Sequence, residues 1–256
     1  MLLMPRITQS RSGHTLTITL ANPPVNVIDI PMMEELHAAL RTAEADTSLT
    51  TFVFRGQGKC FSAGVDIAAH TPELISTMLT KFHALILDLA NSRKVTVAVV
   101  HGNCLGGGAE LALVCDIVYT ADDSTWGFPE IKLACYPPVA CTVLAAVIGQ
   151  KRAAELILSG ASITGRDAQL IGLATACGSL EEVGQMTATL LTQLAAHSPA
   201  ALSLTKKAMY AWSGIHLDKG LARAEKIYLE ELIQTEDVQE GVNAFMQKRA
   251  PKWKGK

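Results

Sequence analysis

The stretch Gly102-Asn103-Cys104-Leu105-Gly106-Gly107-Gly108-Ala109-Glu110-Leu111 decides how the chain is read. It follows Val95 to Val100, a β-branched apolar run that reads as a buried strand. Ala109 to Val114 after it is apolar and rich in helix formers. Three glycines thus stand where a strand turns into a helix, with a carboxylate in the first helical turn. Glycine lets the backbone take conformations and approaches that a Cβ would block. A helix N-terminus offers unpaired N–H groups and the positive end of the helix dipole, so it can hold an oxygen that gathers negative charge. Gly107 and Glu110 are spaced i, i+3 and share one face of that turn. A glycine-rich turn with a capping glutamate would look the same, and the stretch alone does not choose.

Outward from it, Thr15 to Leu20 alternates apolar and polar residues and reads as a strand. Pro31 fits the first turn of a helix with Asp29 as its cap, and Met32, Met33, Leu36 and Leu40 form its core stripe. Thr51 to Arg55 is a second strand. The small-residue stretch Cys60-Phe61-Ser62-Ala63-Gly64-Val65-Asp66-Ile67 comes soon after it. Residues 72–89 read as a helix with Leu74, Met78, Phe82, Leu85, Ile86 and Leu89 facing inward, and Ile117 to Thr120 as a further strand. Glu130 follows Phe128-Pro129 on a rigid turn at the edge of apolar material, where a carboxylate must be solvated, paired, or kept for chemistry with a raised pKa. Helices are expected at 150–158, ended by Gly160, and at 167–171, capped by Thr164. From residue 181 onward the pattern is helical throughout: 181–196, 200–213, 217–234 and 238–249. This is a mixed α/β body followed by a helical tail.

The chain has 256 residues, 49% hydrophobic and 18% charged, which is material for one large domain or one domain with an appendage. A net charge of −2 makes no case for a nucleic-acid partner. The longest mostly apolar stretch, Leu133 to Ile148, is interrupted by Pro137 and Pro138 and is too short to cross a bilayer, so no membrane partner is expected. Met1 to Arg6 carries no signal-peptide pattern. Six scattered cysteines without a CxxC pair read as reduced thiols in a cytoplasmic protein, and the seven histidines show no metal-ligand spacing.

Three stretches in order, Phe61-Ser62-Ala63-Gly64-Val65-Asp66-Ile67, Gly106-Gly107-Gly108-Ala109-Glu110 and Phe128-Pro129-Glu130, resemble the crotonase, or enoyl-CoA hydratase/isomerase, family. Pro24-Val25-Asn26, Glu155 to Gly160, and Glu240 to Phe245 with Lys248-Arg249 extend the resemblance over nearly the whole chain. It implies an α/β spiral of ββα repeats over residues 1–195, carrying the active site. It also implies a helical region over 196–256 used to form a homotrimer or a dimer of trimers. The implied ligand is an acyl-CoA thioester, with no metal and no cofactor beyond the CoA of the substrate. Val65 and Gly107 would give two backbone N–H groups to the thioester oxygen as an enolate develops. Glu110 and Glu130 would be the catalytic pair. Glu130 would donate a proton to carbon and Glu110 would hold and activate water. Hydratases of the family have both carboxylates, whereas many isomerases keep one. Two carboxyls sharing one water can serve as base and acid if one starts protonated.

Ala63, Asp66, Ile67, Tyr136, Pro138, Phe245 and Lys248 are the implied contacts to the acyl group or CoA. For Asp66, and for Asp116, a structural role in loop hydrogen bonds competes with binding, and His101 at a strand end reads as structural. The basic tail with Lys248, Arg249, Lys252, Lys254 and Lys256 is either a solvated end or a contact for CoA phosphates. The chain leaves the family pattern at Tyr136-Pro137-Pro138-Val139-Ala140, where a glycine pair is usual. That segment resembles hydratases of alicyclic dienoyl-CoA thioesters such as cyclohexa-1,5-diene-1-carbonyl-CoA. The product would be a 6-hydroxycyclohex-1-ene-1-carbonyl-CoA. A straight-chain enoyl-CoA hydratase, an enoyl-CoA isomerase and a non-catalytic acyl-CoA- or RNA-binding member are the alternatives.

Overall fold

Strand-forming and helix-forming segments alternate along most of the chain, and their pairing coils it into a spiral. The computed structural model describes residues 4–211 and 213–256. Two antiparallel strands come first, β1 (Ile7–Ser12) and β2 (Thr15–Leu20). Helix α1 (Ile30–Glu44) follows, with Pro31 in its first turn and the Asp29 carboxylate accepting the Met32 N–H at 2.9 Å as its cap.

Three successive turns of the chain then share one plan. The first has β3 (Thr51–Gly56), a lone β-bridge at Ser62, and helix α2 (Ile75–Ala90). The second has β4 (Val95–Val100), the short β5 (Asn103–Leu105), and α3 (Gly107–Leu113). The third has β6 (Ile117–Ala121), the short β7 (Thr125–Gly127), a 3-10 turn over Pro129–Leu133, and α4 (Pro138–Ile148). After these come α5 (Gln150–Ser159), β8 (Ser162–Thr164), α6 (Gly165–Leu170) and β9 (Ala176–Gly178). Helices α7 (Leu180–Ala195), α8 (Pro199–Tyr210), α9 (Ser213–Glu230) and α10 (Glu236–Met246) complete the fold.

The long strands form a six-stranded sheet in the order β1-β2-β3-β4-β6-β9, parallel except for the first pair. The short ones form a second sheet, β5-β7-β8. In that second sheet Ser62 bridges Cys104 in parallel, and Cys104 pairs with Trp126 in parallel. Equivalent positions of the three turns therefore lie side by side. Three residues further on are Val65, Gly107 and Pro129, and Glu130 is next after Pro129.

Period-two alternation assigns the faces of the large sheet. Leu16, Ile18, Leu20, Phe52, Phe54, Ala98 and Val100 point into the main core with α1 and α2. Val53, Val95, Val97 and Val99 point the other way, under Val183, Met186 and Leu190 of α7 and Leu202 of α8. Strand β4 is buried on both faces, which is why it reads as an unbroken apolar run.

The tail is not packed as a separate layer. Leu217, Leu221 and Tyr228 of α9 and Val238 of α10 belong to the main core. On α8, Lys206 is buried, donates to the Lys94 carbonyl at 2.8 Å, and lies 2.8 Å from the Asp116 carboxylate. Asp116 also accepts from the Thr96 N–H and hydroxyl, so the structural reading of this residue holds.

Several expectations differ from what is observed. Helix α2 starts at Ile75, so Leu74 precedes the amphipathic stripe and is exposed instead of facing inward. The last helix spans Glu236–Met246 and stops before Lys248, whose φ of 54° is left-handed. The basic tail is exposed, as the solvated-end reading expects, and it lies along α10: Lys254 Nζ pairs with Glu236 at 2.6 Å, and the Lys252 and Lys254 N–H groups donate to Glu240 and Asp237. These carboxylates in the N-terminal half of α10 attract it. Strand β1 was not anticipated because only Ile7 of it is buried, so it has no alternation to read.

Removing one partner of a buried ion pair leaves the other charge uncompensated. Lys206→Ala should lower unfolding free energy by about 3 kcal/mol in urea titration, with turnover per folded molecule unchanged.

Candidate active site

The second sheet brings the two small-residue stretches to one cavity. Ser62 N–H donates to Asn103 O at 3.0 Å and Leu105 N–H to Ser62 O at 3.0 Å. These bonds fix the two turns in parallel. On its other side the first stretch is held to Ile28: Ile28 N–H donates to Gly64 O at 2.9 Å, and Asp66 N–H to Ile28 O at 3.3 Å. In such a parallel bridge the N–H of the intervening residue, Val65, faces away from Ile28. Neither Val65 N–H nor Gly107 N–H has an acceptor among the described residues. Gly107 begins α3, where the first N–H groups have no partner in the helix.

The two N–H groups are kept close by the lack of a side chain at Gly107. A Cβ built there would stand 2.3 Å from Val65 Cγ2 and 3.4 Å from Val65 N. At Gly106, φ is 51°, and a Cβ would stand 2.5 Å from Glu130 Oε1. The triple glycine therefore serves two contacts: one to the Val65 backbone and one to the Glu130 carboxyl.

Glu110 and Glu130 line this cavity of about 200 Å³ together with Ala63, Val65, Gly106 and Gly107. Their environments differ. Glu110 is 3% exposed, and its Oε1 accepts the Ala140 N–H at 2.9 Å. Pro138 takes the first position of α4, so the N–H groups of Val139 and Ala140 are free helix-start donors aimed at Glu110. Burial pushes the Glu110 pKa up to about 7, and the two N–H groups pull against that rise. Glu130 sits on the 3-10 turn with its side chain partly exposed, but its Oε2 is buried and bonded to nothing among the described residues. Burial first and the charge of Glu110 second push its pKa up to about 8. Burial thus raises both carboxyls, and a charge on Glu110 disfavours a second charge on Glu130, so the two titrate as a unit.

The other anticipated residues divide. Ala63, Ile67, Tyr136, Pro138 and Phe245 line the cavity, Phe245 at its open side with 52% exposure. Asp66 does not: its carboxylate caps the 3-10 turn Ile67–Ala69 through the Ala68 N–H at 3.0 Å. Lys248 is exposed beyond the end of α10 and is not part of the lining either. His101 Nε2 donates to the Gly58 carbonyl at 2.9 Å, a structural contact. Sequence reasoning missed His70, Phe82 and Tyr228 as cavity residues. Phe82 was visible only as part of a helix stripe. Tyr228 arrives from α9, and no local pattern points to it. The Val139 and Ala140 donors could have been found from Pro138, since proline marks a helix start.

Against this geometry, the family model for enoyl-CoA hydratase/isomerase matches residues 11–256. The chain belongs to that family. It is 33% identical to 2,3-dehydroadipyl-CoA hydratase of Escherichia coli K12 over 99% of this chain and 100% of the relative. It is 30% identical to cyclohexa-1,5-dienecarbonyl-CoA hydratase of Thauera aromatica over 96% of this chain and 95% of the relative. A crystal structure of an enoyl-CoA hydratase from Mycobacterium avium subsp. paratuberculosis superposes with a TM-score of 0.88 at 25% identity, covering 97% of this chain and 98% of that one. The spiral is the crotonase fold, and the chain is an enoyl-CoA hydratase of the hydro-lyase class. No helix among the described residues is long and apolar enough to cross a membrane.

A carboxyl whose pKa rises on folding binds its proton more tightly in the folded chain. Stability is then lost as pH rises from the ordinary value of 4.5 through about 7 and about 8. Glu130→Gln removes one such group. Thermal melting should place this variant above the wild type at about pH 8.5, with the gap closing as pH falls toward 4.5.

Proposed function

We propose that this hydratase adds water to its enoyl-CoA substrate through the Glu110–Glu130 pair, with the thioester oxygen on the Val65 and Gly107 N–H groups. The observation that carries the reading is the asymmetry of the pair. One buried carboxyl is held by two helix-start N–H groups, while the other has an oxygen bonded to nothing among the described residues. Two fixed backbone donors stabilise charge on the thioester oxygen as it develops, and they need no reorganisation when the reaction occurs. Glu110, ionised, takes a proton from the water as its oxygen bonds to the unsaturated carbon. Glu130, protonated, gives its proton to the carbon beside the thioester carbonyl. One proton has then moved from Glu130 to Glu110 by way of substrate and water, and the pair still holds one.

The finer proposal is a ring substrate, cyclohexa-1,5-diene-1-carbonyl-CoA, hydrated in the 1,4 sense: the water oxygen bonds to C2, the dienolate takes the Glu130 proton at C5 instead of at C1, and the double bond left between C1 and C6 makes the product a 6-hydroxycyclohex-1-ene-1-carbonyl-CoA. Its support is the Tyr136-Pro137-Pro138-Val139-Ala140 segment, the likeness to the Thauera aromatica hydratase, and a compact cavity walled by Tyr136, Tyr228 and Phe82. An open-chain enoyl-CoA is the second reading, and a specific observation favours it. Val139 and Ala140 hold Glu110, so the unusual segment has a use that requires no ring. The Escherichia coli relative, named for 2,3-dehydroadipyl-CoA, points the same way. Assembly as a homotrimer or a dimer of trimers, with residues 196–256 contributing, and a cytoplasmic location are proposals of the same standing.

Glu110→Gln and Glu130→Gln should each lower kcat by about 10²–10⁴-fold while binding of a saturated acyl-CoA changes little. Near-normal turnover by both variants would end the mechanism. Wild-type kcat/KM should favour cyclohexa-1,5-diene-1-carbonyl-CoA over crotonyl-CoA, and negligible turnover of the ring substrate would leave the open-chain reading.

A further inference from the structure

Helix α10 lies against the 3-10 turn Pro129–Leu133 that carries Glu130. The two backbones meet at Gly241, which is buried. A Cβ built there would stand 2.2 Å from the Leu133 carbonyl oxygen, 2.5 Å from its carbon and 2.9 Å from Leu133 Cα. All three are backbone atoms, so no side chain can swing aside to make room. Gly241 sits inside the helix, and this contact, not a left-handed backbone, is what excludes a side chain. Glycine weakens a helix interior, so its presence there calls for a reason.

The turn passes on to Glu130 what happens at Leu133. Ala134, left-handed with φ 55°, closes it: its N–H donates to Ile131 O at 3.0 Å, and the Cys135 N–H donates to Glu130 O at 3.0 Å. Pro129 fixes the backbone at the other end. Residues 129–135 therefore move as one piece. The Glu130 carboxyl takes no hydrogen bond from another element among the described residues, and the one N–H acting on it is its own. Glu110 differs, since the start of α4 holds it. The place of the Glu130 carboxyl is thus left to the backbone beneath it. Helix α10 is the firmer side of the contact. Val238, one turn before Gly241, is fully buried in the main core. The chain then doubles back along the helix. Arg249 forks the Glu240 carboxylate at 2.6 and 2.8 Å, and the Lys252, Lys254 and Gly255 N–H groups donate to Glu240 and Asp237.

We propose that Gly241 is a positioning residue for the catalytic acid: α10 seats the turn, and the depth of that seat sets the Glu130 carboxyl beside Gly106 and the reacting carbon. This rests on the hydratase reading above. Gly241→Ala must open the contact by about 1 Å, and the turn gives way. A displacement of that size at a reacting group costs about 10²-fold in rate.

The test is a double-mutant cycle read in kcat and KM, on crotonyl-CoA or cyclohexa-1,5-diene-1-carbonyl-CoA, following the substrate that the wild type turns over. Gly241→Ala should lower kcat by about 10²-fold with little change in KM. In the Glu130→Gln background the same substitution should cost no more than about twofold, because the acid it acts through is already gone. A packing role gives the same loss in both backgrounds. That result, or an unchanged kcat, overturns the proposal. If thermal melting shows that Gly241→Ala does not fold, the cycle is run with Val238→Ala, which loosens α10 one turn from the contact. It should give a smaller loss of kcat that is absent in the Glu130→Gln background, and equal loss in both backgrounds, or none in either, overturns the proposal. Such a result leaves the hydratase reading intact if the wild type hydrates enoyl-CoA. Absence of wild-type hydration of any enoyl-CoA overturns both.

Discussion

The structure depends on how closely two turns of backbone can approach. Ser62 and Cys104 are joined by parallel hydrogen bonds, and three residues beyond each the chain must pass without side-chain bulk at Gly107. A methyl group there would occupy the space of Val65 Cγ2. The parallel register then does the positioning. It sets the Val65 and Gly107 N–H groups side by side, and it brings the third turn, with Glu130, to the same edge. No loop has to be shaped independently for the site, because three equivalent turns of one spiral deliver its parts.

The electrostatics follow from placing two carboxyls in one small, mostly apolar cavity. Desolvation raises both pKa values and disfavours two charges there. The backbone around α4 makes the two environments unlike. Pro138 starts the helix, and the Val139 and Ala140 N–H groups that follow favour charge on Glu110. Glu130 lacks comparable donors and feels the Glu110 charge as well. A sequence feature that stands out from the family pattern therefore has a plain electrostatic use, separate from any role in choosing the acyl group.

Much of the site was legible in the sequence because it consists of short local patterns. Gly106 to Glu110, Gly64-Val65 and Pro129-Glu130 each carry a backbone or carboxyl requirement that only certain residues meet. The Asp29 and Thr164 caps and the stripe of α1 were legible for the same reason. Strands β5, β7, β8 and β9 were not, since three residues are too few to show a period. Helix α4 was hidden by being apolar on most of its surface after two prolines. Tyr228 was out of reach because its place in the cavity follows from how α9 returns to α4 and α2. Asp66 was ambiguous in sequence because an aspartate that caps a turn and one that binds a ligand occupy the same kind of loop.

The account is tested most directly by a crystal structure of the Glu130→Gln variant with its enoyl-CoA substrate bound. It predicts the thioester oxygen within about 3 Å of both Val65 N and Gly107 N, and the unsaturated carbons between the side chains of residues 110 and 130. A thioester oxygen bound elsewhere, with either N–H unoccupied, would contradict it.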